Sequence, residues 1–189
     1  MNRAMNGTKR GGGAATGEPV SAADLAVLAE QLGRPPRGVR AIAARCPVGH
    51  PSVVETDPVL GDGTPFPTVF YLTCPALNAI LGTLEAEGLM SAMNERLATE
   101  PELAEAHREA HRLYLAHRER IRHEPRIAGV SAGGMPDRVK CLHALVAHAL
   151  AAGPGVNPLG DEALREGLNR LTTAGHGRSP AARTEDPDT

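Results

Sequence analysis

Three cysteines in this chain stand in contexts that could bind an ion or supply a nucleophile. Cys46 lies in Arg-Cys-Pro-Val-Gly-His50, Cys74 in Leu-Thr-Cys-Pro75, and Cys141 in Arg-Val-Lys-Cys-Leu-His143. The first two each end an expected strand and precede a proline; the third falls in an expected helix. Thiolate is the preferred donor of structural zinc, which takes four ligands in a tetrahedron. Cys46, Cys74, Cys141 and His143 are therefore the candidate metal ligands, with zinc the candidate ion. His50 and His148 compete for the fourth place. On an ideal helix Cys141 and His148 share an azimuth within about 20° but stand about 10.5 Å apart along the axis, at the limit of reach for one ion. His143 leaves on the opposite flank unless the helix begins after Cys141. His50 shares a Pro/Gly loop with Cys46. The chain has no Cys-x-x-Cys pair of the kind structural zinc sites usually show. The plainer role of each cysteine is a small buried hydrophobe, and a reactive thiol is a third.

A second candidate is Ser131-Ala-Gly-Gly-Met-Pro-Asp137, read as leading into a helix. A helix N-terminus offers unpaired N–H groups and the positive end of the dipole. Gly133, Gly134, Arg138 and Lys140 would then hold an anion such as a phosphate, beside Cys141 or His143 as nucleophile or acid/base. Asp137 opposes this, because it can cap the helix itself. His107 and His111 are four apart and can share a metal, but in a helix dense with Glu and Arg they read as a solvated face. His117 falls on the apolar stripe Leu103, Ala106, Ala110, Leu113, His117 and Ile121, so it faces the core or a cleft.

These residues need elements to position them. Ser21 and Asp24 form a capping-box pattern before Leu25, Leu28 and Leu32, and Gly33 followed by Pro35-Pro36 ends that helix. Val39 to Arg45, Ser52 to Thr56 and Thr68 to Thr73 read as strands, and their short connections require antiparallel pairing. Helices follow over Pro75 to Glu87 and Leu89 to Leu97. Thr99-Glu-Pro-Glu102 opens a long one to about Arg122. Others run from about Asp137 to Ala151 and, capped by Asp161, through Leu171. The expected fold is α+β: a small antiparallel sheet packed by four to six helices in one domain, residues 21–173. The Gly- and Ala-rich segment 1–20 and the segment 174–189 read as disordered tails.

Composition removes several classes of function. With 20 Lys and Arg against 22 Asp and Glu, bulk charge does not favour nucleic acid, and two Phe, two Tyr and no Trp give no stacking platform. No apolar run approaches the roughly 18 residues that span a membrane, and the N-terminus lacks the apolar core of a secretory signal. A reducing, cytoplasmic setting follows, and an odd cysteine count agrees with it.

The run Gly134-Met-Pro-Asp-Arg-Val-Lys-Cys-Leu-His143, then His148 and Asn157-Pro-Leu-Gly-Asp161, resembles the signature of an uncharacterised bacterial domain-of-unknown-function family. Arg45-Cys-Pro-Val-Gly, Thr64-Pro-Phe-Pro-Thr68 and Thr73-Cys-Pro75 extend the resemblance over about residues 33–165. It implies a cytosolic protein and transfers no activity, cofactor or catalytic residue. Three functions stay open: a zinc-stabilised binding or adaptor domain, an enzyme or binder for a phosphorylated small molecule, and a structural protein with a protein partner.

Overall fold

The computed structural model describes residues 17–131 and 137–176. The Ser21 hydroxyl starts helix α1 (Ala22–Leu32) by accepting the Asp24 N–H at 3.1 Å, and the Asp24 carboxylate accepts the Ser21 N–H at 3.0 Å. This reciprocal box satisfies two donors that a helix start leaves bare. Asp24 also accepts Arg45 at 2.7 Å, and Arg45 reaches Glu18 at 2.7 Å and the Gly49 carbonyl at 3.0 Å. The Arg45 hydrogen bond holds the Asp24 carboxyl well below its ordinary range. The arginine of Arg-Cys-Pro thus ties α1 to the sheet. Residues 17–20, expected in the tail, belong to the folded part: Glu18 exchanges two 2.9 Å backbone bonds with Ile42.

The strands are β1 (Val39–Arg45), β2 (Pro51–Thr56) and β3 (Phe70–Leu72), antiparallel in the order β1-β2-β3. Central β2 is buried along its whole length, as two covered faces require. Val53 pairs with Leu72, and both face the main core with Phe70. Val54 pairs with Tyr71 and faces the other side, where Leu28 of α1 and Ile42 close a small second cluster. The alternation follows from the two-residue period of a strand.

Helices α2 (Pro75–Ala86), α3 (Leu89–Thr99) and α4 (Pro101–Ile121) follow in short succession. The capping box expected at Thr99 does not form. Its hydroxyl donates back to the Glu95 carbonyl at 3.1 Å, and α4 starts on Pro101 behind a Glu100 cap that makes no side-chain bond. The buried side of α4 is His107, Ala110, Tyr114, His117, Arg118 and Ile121, while Leu113 is exposed. This departs from the stripe read from apolarity because Tyr114 and Arg118 carry polar ends that find partners inside. The Tyr114 hydroxyl accepts the Val69 N–H at 2.7 Å and donates to the Pro67 carbonyl at 3.2 Å. Arg118 donates to the carbonyls of Ile127 at 2.6 Å and Pro67 at 3.3 Å, and to that of Val130.

Helix α5 (Leu142–Ala152) lies against the sheet, and α6 (Pro158–His176) packs on α5 and α2. The α5–α6 approach is close: a Cβ on Gly160 would come within 2.4 Å of the Leu145 carbonyl oxygen. Asn157, rather than Asp161, starts α6, its side-chain oxygen accepting the Gly160 N–H at 3.0 Å. Asp161 instead accepts the Gly155 N–H at 2.7 Å. Among the described residues, no helix is long and apolar enough to cross a membrane.

Candidate functional site

Helix α5 begins at Leu142, five residues later than the sequence suggests, and that shift builds the site. The segment before it is extended. The Asn94 side chain of α3 holds it there, accepting the Val139 N–H at 2.8 Å and donating to the Val139 carbonyl at 2.9 Å. Cys141 becomes the N-cap, with φ −158° and no capping bond from its thiol. Cys141 and His143 then stand on the same side, which a continuous helix through both would have forbidden. The Cys141 Sγ to His143 Nδ1 distance is 3.7 Å.

Glu85, near the end of α2, completes the group. Its Oε1 accepts the Leu142 N–H at 2.6 Å and lies 3.1 Å from His143 Nδ1. One donor atom from each of Glu85, Cys141 and His143 falls within 4.8 Å of the other two. Among the described residues no other trio of His, Cys, Asp or Glu comes so close. The second ring nitrogen, His143 Nε2, donates to the Asn78 carbonyl at 3.2 Å. That bond fixes the tautomer and turns Nδ1 toward the sulfur and the carboxylate. The Cys141 contact, with the Asn78 carbonyl and Glu85, raises the metal-free His143 imidazole to about 9.

Tetrahedral zinc with bonds of about 2.0–2.1 Å to N and O and about 2.3 Å to S places neighbouring donors roughly 3.3–3.6 Å apart. The observed 3.1 and 3.7 Å edges bracket that range. Cys141 and His143 also line a cavity of about 410 Å³ with Asn78 and the β3 residues Phe70, Tyr71 and Leu72. Glu85, Cys141 and His143 are thus the residues that could hold a metal ion.

The other candidate residues lie elsewhere. Cys46 is in the β1–β2 turn, its N–H bonded to the His50 carbonyl at 2.9 Å, and His50 is exposed. Cys74 is the N-cap of α2, half-buried against the core. Cys46 and Cys74 leave the same end of the sheet with β2 between them, so two strand spacings, roughly 10 Å, separate their backbones. Neither belongs to the Glu85–Cys141–His143 group. Arg138 and Lys140 are exposed and precede α5, so the helix N-terminus they were expected to flank lies past them. Gly133 and Gly134 lie outside the described residues.

Glu85 and Asn78 escaped the sequence reading. Their seven-residue spacing places them on one side of α2, and that is the only local sign. Of the histidines of α4, His117 faces the core as expected, while His107 and His111 do not form the solvated face read from the sequence. His107 is buried and its Nε2 meets that of His111 at 3.3 Å. His117 Nε2 meets the fully buried Glu55 at 2.9 Å, a carboxylate that also accepts Arg40 at 3.2 Å. His148 stacks on Phe70 at 5.9 Å and its Nδ1 takes the Asn157 amide at 3.3 Å. Burial outweighs helix-surface patterning here because these rings have aromatic and polar partners inside.

Fold and site together define an α+β domain with a Cys–His–Glu cluster beside a sheet edge. The chain belongs to the family described as protein of unknown function (DUF501), whose model matches residues 42–165. That span runs from β1 into α6 and holds Glu85, Cys141 and His143. No curated protein matches the chain, and no solved structure does.

Proposed function

We propose that this protein binds a divalent transition metal, zinc by its donor set, through Glu85, Cys141 and His143, and presents an open coordination position to the adjoining cavity. The carrying observation is the convergence of three different donors within 4.8 Å of one another. The Nε2 bond of His143 to the Asn78 carbonyl supports it, because metal-bound histidines almost always donate their other N–H to such an acceptor. Thiolate with imidazole and carboxylate suits zinc better than magnesium or calcium, which take oxygen donors. Three protein ligands with a fourth position open is the arrangement that binds or polarises a ligand, rather than one that only staples a fold.

The test is metal content of tag-free protein purified from zinc-replete cells. The reading expects one zinc per chain, retained in the Cys46→Ser/Cys74→Ser double variant and lost in Cys141→Ser and His143→Ala. Metal-free wild-type protein, or zinc kept by Cys141→Ser, would overturn it. The competing use of the pair is a metal-free thiol–imidazole couple. Rapid alkylation of Cys141 that added zinc does not slow would favour that use.

A further inference from the structure

We propose that His107 and His111 form a second metal site, which takes up an exchangeable tetrahedral divalent ion between their Nε2 atoms on the inner side of α4. It is separate from the Glu85–Cys141–His143 group and does not depend on it.

The spacing of the two rings carries the first step. They lie four residues apart on α4, so one turn of helix sets them side by side. His107 is 2% exposed and His111 is half-buried. Their Nε2 atoms stand 3.3 Å apart. Tetrahedral metal–nitrogen bonds of about 2.0–2.1 Å place two nitrogens roughly 3.3–3.4 Å apart. Square-planar or octahedral neighbours would come closer, to roughly 2.8–3.0 Å. The separation is that of two ligands on one tetrahedral ion such as zinc.

The rings' orientation carries the second step. Their planes cross at 82° and their centroids are 4.6 Å apart. Two imidazoles joined in line, an N–H of one aimed at the lone pair of the other, would hold their centroids farther apart at this nitrogen separation. The contact is therefore bent, and a bent hydrogen bond is weak. It is also incomplete. Each neutral ring carries one proton. Where one Nε2 donates, the accepting ring keeps its proton on Nδ1. The Nδ1 atoms of His107 and His111 are both buried, with no hydrogen-bond partner among the described residues. An ion between the Nε2 atoms replaces the bent contact with two directed bonds. It leaves the protons on Nδ1, where one ring must keep its proton in any case. Burial also disfavours protonation of either ring, so lone pairs rather than charges meet the ion.

Charge carries the third step. Asp137 is exposed on the segment before α5, and its charge acts on both rings. It offsets the charge of the ion, and solvent completes the coordination. Two imidazoles without a thiolate hold zinc more weakly than a set that includes Cys141. This site therefore fills from added metal and empties during purification.

The experiment is a cobalt(II) titration of the full chain carrying Cys141→Ser, followed by a zinc titration watched through the imidazole nitrogen NMR signals. The expected result is one cobalt per chain, with the strong visible absorption of a tetrahedral site and no sulfur-to-cobalt band. The Nε2 signals of His107 and His111 move in step with zinc. His107→Gln or His111→Gln weakens uptake about tenfold or more. Where a glutamine variant does not fold, the ring signals of the Cys141→Ser chain decide. No uptake up to about 1 mM metal would overturn the proposal, as would uptake that leaves both Nε2 signals unmoved. Wild-type protein that is metal-free as purified, yet takes up cobalt at the two rings, would support this site while overturning the one at Cys141.

Discussion

Glu85 Oε1 stands 2.6 Å from the Leu142 N–H and 3.1 Å from His143 Nδ1, so one carboxylate of α2 both caps α5 and faces its imidazole. The two tasks separate by substitution. Glu85→Gln keeps an acceptor for the N–H but loses the anionic donor. It should change unfolding free energy by less than about 1 kcal/mol while weakening the proposed zinc site about tenfold or more. Glu85→Ala removes the acceptor as well and should cost about 1–2 kcal/mol. Urea unfolding and zinc competition with a chromophoric chelator measure the two effects.

Two glycines of α6 should respond in opposite ways to alanine. At Gly160 the new Cβ meets the Leu145 carbonyl at 2.4 Å, backbone that cannot yield without parting α5 from α6. Gly160→Ala should destabilise by about 2–3 kcal/mol. At Gly167 the nearest atoms are Ile80 Cγ2 at 3.4 Å and Leu81 Cδ2 at 3.8 Å, ordinary contact. There the gain in helix propensity dominates, and Gly167→Ala should stabilise by about 0.5–1 kcal/mol. Thermal and urea unfolding of both variants would check the pair; equal shifts in one direction would refute the packing argument.

Tyr114→Phe tests the polar seam between α4 and the sheet. The hydroxyl accepts the N–H of Val69, a residue with 0% exposure. Removing it strands a buried donor, and the loss should be about 1–3 kcal/mol. Hydrogen exchange at the Val69 amide should speed up by more than the global change explains.

The buried histidines make stability fall in acid. Burial lowers the His148 imidazole to about 4, helped by the nearby His111 and His117 rings. An unfolded histidine titrates near 6.5. Between those values the unfolded chain holds the proton that the folded one refuses. The His148 contribution is then full above about pH 6.5 and declines as pH falls toward 4, by about 3 kcal/mol. His111, lowered to about 4 by burial and by the His107 ring, adds to the same limb. His148→Gln should flatten the decline in a urea-unfolding series from pH 7 to 4; an unchanged slope would refute the assignment.

Much of this protein was legible in its residues. Ser21-Ala-Ala-Asp24, the β-branched run at Ser52 to Thr56, Gly33 and Gly88 are local signals, and local sterics and hydrogen bonding decide them. They give the α+β class, the antiparallel pairing and most helix bounds. The motifs around Cys141 and His143 were visible as candidate ligands for the same reason. What tertiary structure alone decided was how these residues meet. The Asn94 side chain holds Val139 extended and delays α5 to Leu142, and that one displacement brings Cys141 and His143 together. Glu85 joins them from 57 residues away in sequence through its bond to the Leu142 N–H. Cys46 and Cys74, equally prominent as letters, stay outside because β2 lies between their strands. Sequence sets which groups a segment can offer. Packing between distant segments sets which of those groups share a site, because only there does the desolvated partner of each become fixed.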